Sequence, residues 1–211
     1  MSQPRLECYF DCSSPWTYLG FVGLQRLAAR YRVPVIWKPI VVGGVFNQVN
    51  QGVYQRREEG MKDKDYFARY WKDLSDWAQS YGLDITLPDF HPVNSVKAMR
   101  GCLVAQHAGL LEAYALEVFA AYWSRNEDIH SDRVLAAIVD RIGLDQQLFF
   151  AGIRSQHYKD LLRANTDELV ARGGFGSPTF FVDTVDMYFG NDRLPLVEWK
   201  LRLALGLPPR V

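Results

Sequence analysis

The sequence contains no CxxC pair. Its three cysteines, Cys8, Cys12 and Cys102, are an odd number, and Pro15 stands where a second thiol would follow Cys12. A local dithiol exchange centre is therefore excluded and a disulfide framework argued against, so a reducing, cytoplasmic setting is expected. Net charge is absent as well. Lys plus Arg and Asp plus Glu both come to 24, which leaves no electrostatic footprint for nucleic acid or an anionic membrane. No apolar run approaches a membrane span; the longest, residues 110–123, is broken by Glu112 and Glu117. Residues 1–5 are short and polar and run into a strand-like segment, so no signal peptide is expected. The four histidines, His91, His107, His130 and His157, lack ligand spacing, and no metal site is expected. GxSxG is missing, as are internal repeats and low-complexity tracts.

What is present is an ordinary globular composition, 48% hydrophobic and 23% charged over 211 residues. That length suits one domain, or one domain carrying an insertion. Residues 5–11 alternate Leu6, Cys8 and Phe10 against Glu7 and Tyr9, which predicts a strand. Ser14-Pro15 then reads as a helix start, with Ser14 as cap and Pro15 in the first turn, and the apolar stripe Trp16, Leu19, Gly23, Leu27, Tyr31 carries the helix on. Residues 33–40 predict a second strand, parallel to the first. Residues 41–64, rich in Gly, Asn and Gln, read as a long loop. Helices are predicted over 65–81, 93–106, 110–124, 131–142, 145–151 and 156–172. Strand signal returns in Pro178-Thr179-Phe180-Phe181-Val182 and, after a turn at Asp183-Thr184, in Met187-Tyr188-Phe189, before a last helix over about 193–205. The order β-α-β, helical block, β-β-α is that of an α/β, thioredoxin-like fold with an all-helical insertion. Residues 1–60 and 174–211 would form the discontinuous thioredoxin-like domain and 61–173 the helical insertion domain.

Several residues carry chemistry under one reading and none under another. Ser14 is either an N-cap alone or a hydroxyl beside an anion held by the first-turn amides and the helix dipole. Cys12 is a rival nucleophile or a small apolar filler, as Cys8 and Cys102 also read. Asn191 and Asp192 are turn and cap residues or contacts for polar ligand groups, and Arg193 pairs a substrate carboxylate or lies free on the surface. The aromatic stripe Phe67, Tyr70, Trp71, Trp77 reads mostly as core, with Phe67 to Trp71 bordering a pocket for a flat apolar substrate.

The segment from Tyr9 to Phe21, YFDCSSPWTYLGF, resembles the opening of the kappa-class glutathione transferases and of the 2-hydroxychromene-2-carboxylate isomerases, both DsbA-like thioredoxin folds. Gly176-Ser177-Pro178-Thr179-Phe180-Phe181-Val182 resembles their cis-proline loop and third strand, and Phe189-Gly190-Asn191-Asp192-Arg193-Leu194 their hairpin exit. Gly43-Gly44-Val45-Phe46-Asn47 also has a kappa-like counterpart. The matches lie at both ends of the chain, in order. The resemblance implies a glutathione cofactor, Ser14 as the catalytic serine that orients its thiolate, and a backbone clamp at Ser177 and Pro178. It also implies γ-glutamyl contacts at Asn191 and Asp192 and a further contact that falls best on Asn50, with Asn47 and Gln51 able to slide into the same place. The implied partner is a small aromatic or electrophilic substrate, and the implied assembly a homodimer. The reaction implied is isomerisation of the 2-hydroxychromene-2-carboxylate type, with kappa-like conjugation, or a non-catalytic or chaperone-like binder, as alternatives.

Overall fold

The computed structural model describes residues 3–49 and 51–208. In chain order the elements are β1 (Leu6–Phe10), α1 (Pro15–Tyr31), β2 (Val35–Pro39), α2 (Val42–Val49), α3 (Val53–Lys62) and α4 (Lys64–Ser80). There follow α5 (Val96–His107), α6 (Leu111–Trp123), α7 (Asp132–Arg141), α8 (Gln146–Arg154) and α9 (Gln156–Ala171). Then come β3 (Thr179–Val182), β4 (Asp186–Phe189), a 3-10 turn (Asn191–Arg193) and α10 (Leu194–Ala204).

The four strands form one mixed sheet in the order β2-β1-β3-β4. β1 pairs parallel with β2 and antiparallel with β3, which returns as a hairpin to β4. Both ends of the chain thus meet in one sheet, the thioredoxin-like order. Every residue of β1 is buried. Leu6, Cys8 and Phe10 enter the main core, while Tyr9 packs with Ile40, Val45, Leu169 and Phe181 on the other side. Glu7 is carried into that second side and paired with Arg5 at 2.6 Å and with Arg172. Covering both faces turns an alternating strand into a wholly buried one. The main core is continuous from Phe10, Phe21 and Trp37 into Phe119, Ile138 and Phe149 of the helical block.

Residues 41–64 differ from expectation. They form α2 and α3 instead of a loop. Val42, Val45, Phe46 and Val49 lie at helical spacing, but two glycines and polar low-propensity residues between them hide the period. Packing supplies a reason for one of the glycines: a Cβ on Gly44 would sit 3.2 Å from Thr166 Cγ2 of α9. Tertiary contact overrides a weak local preference. The β3–β4 turn also holds three residues, 183–185, instead of two, because Val182 pairs with Asp186. Asp183 and Thr184 take positive φ there, and Asp183 exchanges hydrogen bonds with Arg5 at 2.8 and 3.0 Å.

Two glycines of α1 position everything that follows. A Cβ on Gly20 would stand 2.7 Å from Pro178 Cγ, and one on Gly23 would stand 2.4 Å from Leu194 Cδ1. Only glycine lets α1 lie directly on the loop before β3 and on the start of α10.

Candidate active site

Ser14 is the N-cap of α1, in extended conformation, and its Oγ accepts a hydrogen bond from the Thr17 N–H at 3.3 Å. The Ser14 N–H donates to the Asp11 carbonyl at 3.3 Å. A hydroxyl carries one proton and two lone pairs. Among the described residues nothing accepts the Ser14 proton, so the half-exposed hydroxyl retains a donor above the first turn of α1. Pro15 in that turn costs no hydrogen bond, and the first-turn amides favour negative charge at this point.

The Ser177–Pro178 peptide bond is cis. The β1–β3 ladder stops at Tyr9 and Thr179, so the main chain of Ser177 lies beyond it. The Ser177 side chain points inward: its Oγ accepts from the Asp11 N–H at 3.0 Å and shares a 2.9 Å hydrogen bond with Thr17 Oγ1. Since Thr17 also caps on Ser14, the first turn of α1 is joined to this loop through one residue. The Gly190 N–H donates to the Pro178 carbonyl at 3.0 Å, extending the hairpin ladder and bringing Asn191 and Asp192 beside the loop. Gly190 has φ of 101°, and a Cβ there would meet Asp192 Oδ1. Asn191 is only 4% exposed, and its Nδ2 has no hydrogen-bond partner among the described residues. Asp192 is exposed and pairs with Arg193 at 3.2 Å, so Arg193 is not a free surface cation. Ser14 is thus tied to Ser177 through Thr17, and Asn191 and Asp192 follow the Gly190 contact with Pro178, whereas Asn50 lies outside the described residues.

Cys12 is 0% exposed. Its N–H donates to Met99 Sδ at 3.3 Å and its carbonyl accepts from Trp123 Nε1 at 2.9 Å. Burial, with the neighbouring Cys102 thiol, pushes the Cys12 thiol well above its ordinary pKa, and burial does the same to Cys8. A thiol held neutral in an apolar surround is not a nucleophile.

Sequence reasoning put Tyr70 in a stretch bordering a pocket but missed its partner Trp16 and the floor of the site. Trp16 Nε1 donates to the Tyr70 hydroxyl at 3.0 Å, and the two rings meet edge to face with centroids 5.7 Å apart. Tyr66 stacks on Tyr70 at 6.5 Å. Two residues beyond Ser14, α4 thus presents a half-open aromatic wall. Of the stripe Phe67, Tyr70, Trp71, Trp77, the last three pack half-buried against a small core of Leu19, Leu74 and Ala78, and Phe67 lies outside it. Beneath lies Asp11, 0% exposed, whose carboxylate accepts from the N–H groups of Ser13 at 2.9 Å and Val42 at 2.8 Å and from Ser95 Oγ at 3.1 Å. Desolvation raises its pKa against those hydrogen bonds.

A family model of the DSBA-like thioredoxin domain matches residues 5–202. The chain belongs to that family. Within the DSBA-like family, a relative named 2-hydroxychromene-2-carboxylate isomerase from Sphingobium xenophagum is 28% identical over 195 residues, 92% of this chain and 95% of its own length. Glutathione S-transferase kappa 1 from Caenorhabditis elegans is 25% identical over 227 residues, 99% of this chain and 95% of its own length. A solved 2-hydroxychromene-2-carboxylate isomerase superposes with a TM-score of 0.85 at 26% identity, covering 96% of this chain and 98% of that one. A probable DsbA oxidoreductase from Streptomyces coelicolor shares the fold, with a TM-score of 0.73 at 19% identity over 99% of this chain and 92% of that one. The resemblance seen at both ends of the sequence extends over nearly the whole DSBA-like domain.

Proposed function

We propose that this protein is a glutathione-dependent isomerase of the 2-hydroxychromene-2-carboxylate type, working in the cytoplasm as a homodimer. The observation that carries the reading is the Ser14 hydroxyl, its proton uncommitted, at the start of α1 in a site whose own thiols are buried. The relatives named for this reaction, similar over nine-tenths of the chain, support it. The residues present fit glutathione. The unpartnered Asn191 amide and the carboxylate of Asp192 suit the charged γ-glutamyl end, and the Ser177 main chain beyond the ladder suits a peptide backbone paired as a strand. Asn50 remains part of the proposed set.

Bound there, glutathione would supply a thiolate able to add reversibly to an unsaturated carbon and leave unchanged after ring opening. The chain's own contribution is to hold charge and exclude water. Ser14 would donate a hydrogen bond to the sulfur while keeping its proton and, with the α1 amides, lower the thiol pKa. Trp16 and Tyr70 offer a flat apolar face to an aromatic substrate and shield the sulfur from solvent. A kappa-like transferase is the second reading, favoured by kappa relatives that match as much as 99% of the chain. One assay separates them: a chromene carboxylate is turned over with and without glutathione while free thiol is counted. The isomerase requires glutathione and consumes none. Loss of thiol in step with product supports the transferase, and no glutathione binding by calorimetry overturns both.

A further inference from the structure

A carboxylate 0% exposed to solvent, with no Lys or Arg paired to it among the described residues, is costly unless something fixes it in place. Asp11 is such a group. Its oxygens receive two backbone N–H groups and one hydroxyl, and each comes from a different element. Ser13 belongs to the loop entering α1, Val42 is the first residue of α2, and Ser95 is the N-cap of α5. The Val42 N–H opens α2, where an anion is favoured, and the Ser13 loop amide and the Ser95 hydroxyl complete the cradle in place of a cation. Titratable groups near Asp11 include the Cys12 thiol on its own loop and the Tyr122 hydroxyl of α6, whose oxygen in turn bonds His91 Nδ1 at 3.0 Å.

The main chain of the same residue makes two further bonds. Its carbonyl accepts from the Ser14 N–H at 3.3 Å and its N–H donates to Ser177 Oγ at 3.0 Å. Asp11 therefore touches both the residue that would hold the sulfur and the loop that would hold the peptide backbone. We propose that Asp11 is the positioning residue of this site: its ionised carboxylate anchors the Ser13–Ser14 turn against α2 and α5, and so fixes the Ser14 hydroxyl relative to the Ser177–Pro178 loop. Ionisation matters because all three partners arrive as donors. An asparagine has one acceptor oxygen, and its NH2 would face either the Ser13 or the Val42 N–H, donor against donor.

The inference rests on the glutathione reading for its functional readout, and the test keeps the two apart. The experiment compares Asp11→Asn, Ser14→Ala and the double variant, measuring the apparent pKa of bound glutathione by thiolate absorbance. Asp11→Asn is expected to raise that pKa by about one unit, a partial loss of the Ser14 contact. In the Ser14→Ala background it should add almost nothing, because Asp11 acts through Ser14. Additive shifts, no shift, or a lowered pKa overturn the proposal; lowering would mean that the buried charge simply opposes the thiolate. Should Asp11→Asn fail to fold, Ser95→Ala removes one of the three donors and should give a smaller shift of the same sign, equally absent without Ser14. If wild type binds no glutathione, the functional reading fails alone. The link is then read from amide NMR of the free protein, where Asp11→Asn must move the Ser14 and Thr17 signals, and unmoved signals overturn it.

Discussion

Replacing Ser14 by alanine removes a hydroxyl whose proton has no acceptor among the described residues. A hydrogen bond to an ionised group contributes about 1.5–3 kcal/mol. At about 1.4 kcal/mol per pKa unit, the thiol of bound glutathione should titrate about one to two units higher in Ser14→Ala. The sign follows from what is lost: the donor favours the thiolate, so without it a higher pH is needed to reach the same thiolate fraction. Turnover near neutrality should fall by about ten- to a hundredfold if the loss is expressed in full, with part of it recovered as pH rises. The same substitution also deletes a helix cap, worth about 0.5–2 kcal/mol of stability. Ser14→Gly separates the two effects, since glycine caps nearly as well but has no hydroxyl. Both variants should show the same titration shift, with the drop in Tm much smaller for glycine. The assay is thiolate absorbance of bound glutathione against pH, beside thermal melts. A folded Ser14→Gly that binds glutathione with an unshifted thiol would refute the argument.

Cys12→Ala should keep almost all activity, because the thiol is buried and held neutral; its reaction with iodoacetamide should be slow in the native protein and fast in denaturant. Gly20→Ala forces a Cβ to within 2.7 Å of Pro178 Cγ and should cost about 1–3 kcal/mol by denaturant unfolding, with weaker glutathione binding as the loop is pushed away. Trp16→Phe deletes the hydrogen bond to Tyr70 and should raise KM for an aromatic substrate several-fold while calorimetry shows glutathione affinity unchanged; equal losses in both would place Trp16 outside the substrate wall.

How much of this was legible in the sequence depends on how local the cause is. The start of α1 is written in adjacent residues, because a capping serine and a first-turn proline act within one turn. α2 is hidden in part because Gly44 answers to Thr166, far along the chain on α9. The Ser177–Pro178 cis bond has no local signature, and only resemblance pointed to it. Asn191 reads as a turn residue, yet it is buried with an unpartnered amide, since α10 folds back on Gly23 and closes over it. Asp11 shows nothing in sequence beyond a polar residue at a strand end. Its partners Val42 and Ser95 lie 31 and 84 residues away, so no spacing rule brings them together.

The same contrast bears on what a thioredoxin-like site can do without a thiol of its own. The start of α1 stabilises whatever negative charge stands there, regardless of which molecule carries it. Cys8, Cys12 and Cys102 are all buried, and burial raises the first two well above their ordinary range. Cys12 is turned away by contacts with Met99 and Trp123 that use its backbone and leave the thiol in the core. On the proposed reading the sulfur at the helix start arrives from outside, and an external thiol needs holding by its backbone as well as by its charge. The Ser177 loop lies one hydrogen bond from the first turn of α1, through Thr17. A serine at position 14 and that loop are thus two halves of one requirement, and Asp11 is the residue that touches both.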